Sequence, residues 1–124
     1  MGLIVVSNLA MDRRRRRGDV NVGRGTVLGS PFVARGEGER DDAVACYWKL
    51  LRGEDAHTLA REAGVSVHEG SARVSHARRM HALSLLTERV RGGENVRLLC
   101  AEAPHVNHGH VVKVWVERAL AGKV

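Results

Sequence analysis

Cys100, His105, His108 and His110 form the most chemically informative stretch of the chain. Val96-Arg97-Leu98-Leu99-Cys100 reads as a strand, and the histidines cluster around the start of the helix that follows. A thiol beside a helix N-terminus and a histidine has a lowered pKa and can attack an electrophile, which makes Cys100 a candidate nucleophile. His108 is then the candidate donor or general acid/base. The competing readings are a Cys100 that is simply a small buried hydrophobe and histidines that are solvated loop residues. The spacing Cys100-x4-His105-x2-His108 would bring two or three ligands around a zinc ion. It lacks the paired C-x2-C spacing of a structural zinc site, and no metal is assigned. Cys46, beside Tyr47, reads as helix packing.

A second candidate lies in the glycine-rich loop 23–38, where Gly23-Arg24-Gly25 is followed by Gly29-Ser30-Pro31-Phe32. Glycines let backbone donors approach a ligand closely, and Arg24 offers a planar fork for a phosphate or carboxylate. Arg24, Gly25, Ser30 and Gly109 are therefore the expected ligand-binding residues. The spacing is neither a Walker loop nor a dinucleotide fingerprint, and an ordinary glycine turn is the alternative. Ser, His and Asp at the spacing of a hydrolase elbow are absent.

The arginine-rich loop 12–18 holds Arg13, Arg14, Arg15, Arg16 and Arg17. It reads as a solvated loop, a salt-sensitive contact to nucleic-acid phosphates, or part of an anion site. The chain has 20 basic and 14 acidic residues, a net charge of +6. Outside this run the charges nearly balance, so the basic character is local. No recognition-helix or zinc-finger motif supports sequence readout. Aromatic residues are only 3% of the chain, against a fold that stacks bases on aromatic rows.

These residues need elements to position them. Leu3-Ile4-Val5-Val6 is a short β-branched run expected as a strand buried on both faces, and Asp19-Val20-Asn21-Val22 as a second strand. A helix is expected from near Arg40 to Gly53, a short one over residues 54–63 closed by Gly64, and a long one from about Ser71 to Arg91 after a capping box at Ser66-Val67-His68-Glu69. Val111, Val112, Trp115, Val116, Ala119 and Leu120 mark a last amphipathic helix. At 124 residues one α/β domain spanning 1–124 is expected, with three or four strands and flanking helices. Two cysteines suggest a reducing compartment. No secretory pattern or membrane-length apolar run occurs, so a cytoplasmic protein with no membrane partner is expected.

Taken jointly, these segments resemble the small domain-of-unknown-function family 4326 of phage and bacterial genomes. The family shows a segment like D-V-Y-I-G-R, then G-N-P-F, a helix, and C-x-C-x-P leading into C-H-G-D. Here Asp19-Val20-Asn21-Val22-Gly23-Arg24, Gly29-Ser30-Pro31-Phe32, Arg40-Asp41-Asp42-Ala43-Val44 with Tyr47, and Leu98-Leu99-Cys100-Ala101, Pro104 and His108-Gly109-His110-Val111 correspond. Leu98 and Asn107 stand where the family has cysteines, His110 where it has aspartate, and Ser30 where it has asparagine. A site that needed all three cysteines would not operate the same way here. The resemblance implies a Rossmann-like α/β domain in which the Gly-Arg loop meets the His-Gly helix start, plausibly phage-encoded and acting in the host cytoplasm, and it implies no reaction.

The expectation is a small protein that binds a phosphate-containing ligand or nucleotide through the Gly-Arg and Cys/His loops, with catalysis open and no cofactor assigned. The alternatives are a nucleic-acid-associated module using Arg13–Arg17 and a protein-interaction factor without chemistry.

Overall fold

A computed structural model describes residues 1–8, 16–101 and 107–123. In chain order the elements are β1 (Ile4–Asn8), β2 (Asp19–Asn21), β3 (Phe32–Val33), α1 (Glu37–Leu51), α2 (Ala56–Ala63), β4 (Ser66–Val67), α3 (Glu69–Ala72), α4 (His76–Arg91), β5 (Val96–Cys100) and α5 (His108–Leu120). The fold is α/β. β5 lies between β1 and β2 in a three-stranded parallel sheet, with Ile4 opposite Val96, Asn8 opposite Cys100 and Asp19 opposite Arg97. A separate antiparallel pair joins Phe32 of β3 to Val67 of β4.

Position in the sheet explains the burial of each strand. β5 has a neighbour on each side, and Val96, Leu98, Leu99 and Cys100 are all buried. The sequence pattern predicts a β1 buried on both faces. It is instead an edge strand, with Ile4 buried and Val5 46% exposed, because nothing described pairs along its outer side. Strand alternation puts Ile4, Val6, Val20, Leu98 and Cys100 on one face. They meet Leu83, Leu86 and Val90 of α4 and Val111, Val112 and Val116 of α5 there. Tyr47, Leu50 and Leu51 of α1 join the same core.

The long helix expected over 71–91 is two helices. Ser75 is extended at φ −70°, ψ 152°, and its hydroxyl accepts the Arg78 N–H at 3.2 Å, so α4 starts afresh there. The expected capping box at Ser66–Glu69 is also different. Ser66 and Val67 pair with β3, and His68 caps the short α3 by accepting the Ser71 N–H at 3.1 Å. Competition from strand pairing across 30-odd residues is invisible in a local window. α1 begins three residues before Arg40, whereas α2 ends at a left-handed Gly64 as expected.

On the opposite sheet face Arg97 grips Asp19 across the strands. Arg97 Nε donates to Oδ1 at 2.8 Å and Nη2 to Oδ2 at 2.7 Å, and the Arg16 N–H also donates to Oδ2 at 2.7 Å. The two side chains are 11% and 7% exposed, so removing one partner strands a largely desolvated charge. Asp19→Ala should lower unfolding free energy by about 3 kcal/mol. In urea titration the midpoint should fall at constant slope; an unchanged midpoint would reduce the pair to surface decoration.

Candidate functional site

α5 starts over the carboxyl end of the parallel sheet, the edge where α/β sheets present ligand sites. Asn107 is its N-cap. Asn107 Oδ1 accepts the Gly109 N–H at 2.7 Å and the Cys100 S–H at 3.2 Å, joining the end of β5 to the start of α5. The Asn107 N–H in turn donates to His110 Nδ1 at 3.1 Å. A Cβ on Gly109 would lie 2.9 Å from Asn107 Oδ1 and 3.0 Å from Cys100 Sγ, so only glycine fits between cap and strand. The Gly109 N–H is thus committed to the cap, and Cys100 is 1% exposed.

His108 is the first helical residue. Its Nε2 makes a short hydrogen bond to the Val22 carbonyl, just past β2. A carbonyl only accepts, so Nε2 carries the proton. The ring leans on Tyr47, with centroids 5.4 Å apart and planes at 55°. Tyr47 is fully buried and donates its O–H to the Leu28 carbonyl at 2.6 Å. Burial raises its pKa well above the ordinary phenol value, so it remains a donor at any physiological pH. Tyr47 thereby ties α1 to the glycine loop and supports His108 from behind.

The loop after β2 is a run of tight turns, with Thr26 N–H donating to Gly23 O at 3.1 Å and Gly29 N–H to Thr26 O at 3.0 Å. Gly25 has φ +90°, a conformation that costs side-chain-bearing residues, and its N–H is directed to Ser71 Oγ at 3.4 Å. Between this loop, α1 and the start of α5 lies a cavity of about 150 Å³. Arg24, Ser30 and His108 line it together with Arg40 of α1, and Phe32 and Val44 supply apolar wall. Ser30 Oγ accepts the Phe32 N–H at 3.2 Å, which leaves its own proton to donate. Among the described residues no carboxylate pairs with Arg24 or Arg40.

Of the residues singled out from the sequence, Arg24, Ser30 and His108 share this cavity, while Gly25, Gly109 and Cys100 do not line it. Gly25 and Gly109 shape the backbone, and the Cys100 thiol is packed against the helix cap. Arg40 was read only as a helix start. The signal was a cation placed within the first turns of a helix, where the helix dipole disfavours positive charge. Arg13, Arg14, Arg15, Pro104 and His105 lie outside the described residues. Arg16 and Arg17 are exposed beside Leu3, Asn95 and Val96, at the amino ends of the strands. They are therefore a strand length, about 15 Å, from the carboxyl edge, and do not belong to the Arg24 site. Among the described residues, no three His, Cys, Asp or Glu side chains converge as metal ligands, and no helix is long and apolar enough to cross a membrane.

A parallel α/β sheet with a cationic cavity at its carboxyl edge defines a small α/β domain with a candidate anion site. The chain belongs to the family described as Domain of unknown function (DUF4326), whose model matches residues 8–118. No curated protein and no solved structure matches it.

The cap makes the start of α5 sensitive to acid. Burial first, and Lys113 second, lower the pKa of His110 below the ordinary imidazole value. The folded chain therefore holds His110 neutral, while the unfolded chain takes up its proton near pH 6.5. Stability that is present above this value is lost as the pH falls through it and on towards the lower folded pKa. His110→Gln keeps an acceptor at the capping-box position but does not titrate. Its melting temperature should fall less than the wild type's between about pH 7.5 and about pH 5. Parallel curves for the two proteins would remove His110 from the acid response.

Proposed function

We propose that the protein binds a phosphate-bearing small molecule, nucleotides included, with the phosphate seated between Arg24 and Arg40. The observation that carries this reading is the pair of arginines without a described carboxylate partner, lining one cavity with the Ser30 hydroxyl and His108. Guanidinium forks match phosphate oxygens two at a time, and Ser30 adds a neutral donor. The placement at the carboxyl edge of a parallel sheet supports the same reading.

Binding without covalent chemistry is the form the geometry favours. The candidate nucleophile, Cys100, is buried with its S–H on Asn107, and the proton of His108 Nε2 is engaged by Val22. His108 then serves as a wall of the cavity held in place by Tyr47.

A thermal-shift screen of nucleotides and sugar phosphates tests this. A ligand at 100 times its dissociation constant adds about 2.7 kcal/mol, a rise of several degrees for a domain this size. Arg24→Ala and Arg40→Ala should each abolish the rise while changing the ligand-free stability by only about 0.5 kcal/mol. A rise that survives both substitutions places the ligand elsewhere.

A further inference from the structure

We infer that the charged end of the ligand is a phosphomonoester dianion carried on a single ester arm, not a phosphodiester; this rests on the phosphate-binding reading above. Charge and volume lead there independently.

The positive charge around the glycine loop is larger than the two lining arginines. Arg79 of α4 is 3% exposed, donates Nη2 to the Ser71 carbonyl at 2.7 Å, and has a buried Nε with no hydrogen-bond partner among the described residues. Ser71 is the residue whose Oγ accepts the Gly25 N–H, so Arg79 stands behind the loop that carries Arg24. No described carboxylate forms an ion pair with it. Two cations therefore line the cavity, Arg24 from the loop and Arg40 from α1, and a third, Arg79 of α4, stands behind Ser71 without lining it. The other titratable groups there are Tyr47, which stays protonated, His108 of α5, and His68, whose Nδ1 lies 2.9 Å from Ser71 Oγ. The acidic residues of the first turns of α1, Glu37, Glu39, Asp41 and Asp42, do not line the cavity.

A monoester carries about −1.5 to −2 charges at neutral pH because its second pKa is near 6, whereas a diester keeps one. Attraction grows with the product of charges, so an uncompensated cluster of cations discriminates between them. The volume adds a steric limit. A cavity of about 150 Å³ is the size that admits benzene, on the order of six heavy atoms. That is one phosphate and the first carbon of its ester. The rest of the molecule must leave through the mouth, and a diester would have to pass a second arm through it beside the first.

The test titrates the full-length chain with 5′-AMP, ribose 5-phosphate, the methyl diester of 5′-AMP, and sulfate. Both monoesters should bind at least about tenfold more tightly than the diester. Below about pH 6 monoester affinity should fall relative to sulfate, towards the weaker affinity of the singly charged diester. Sulfate remains a dianion, so the ratio cancels the titration of protein groups. Equal affinity for the diester, or a ratio that does not change with pH, overturns the dianion inference and leaves phosphate binding standing. If none of the four binds, both readings fall together.

Discussion

The side-chain amide of Asn107 is the constraint on which the site depends. One oxygen receives the Gly109 N–H of α5 and the Cys100 S–H of β5, so the last helix begins against the end of the central strand. That placement carries His108 to the Val22 carbonyl at the end of β2, and α5 then spans the sheet edge between two strands. Without the cap, the first N–H groups of a buried helix start would lose their acceptor, a cost of roughly 1 kcal/mol before any loss of register. Tyr47 provides the second fixed point. Its hydroxyl holds Leu28, its ring supports His108, and its helix carries Arg40.

Elements whose signals are local were legible in the sequence. Gly64 closes α2 as its sequence position implies, and a β-branched run marks β1 and a short apolar run marks β5. Two of the failures share a cause, since each needed a partner distant in sequence. Ser66 and Val67 became a strand only because Phe32 and Val33 lie beside them, and β1 is an edge strand because β5 takes the centre. The edge position of β1 follows from topology, which four apolar residues in a row do not encode.

The site divided along the same line. Arg24, Ser30 and His108 were identifiable because glycines and a histidine-rich helix start punctuate the chain around them. Gly25 and Gly109 carry the marks of ligand-cradling glycines, yet their N–H groups serve Ser71 and Asn107. Residue type alone does not separate a glycine that exposes backbone to a ligand from one that lets two protein segments touch. The arginine run shows the converse: Arg16 and Arg17 dominate the charge pattern but sit at the other end of the strands from Arg24.

Local rules and the global fold usually agree in a natural sequence, and departures concentrate where function is served. Two such departures occur here. Arg40 sits in the early turns of α1, where the dipole opposes it, and Arg79 is buried on α4 with an unsatisfied Nε. Neither has a described carboxylate to offset its charge. A structural role for Arg79 alone would be met by its bond to Ser71, which a neutral donor could also make. Like charges near one another oppose folding, and Arg24 and Arg40 line one cavity. An anion seated between Arg24 and Arg40 would offset that repulsion.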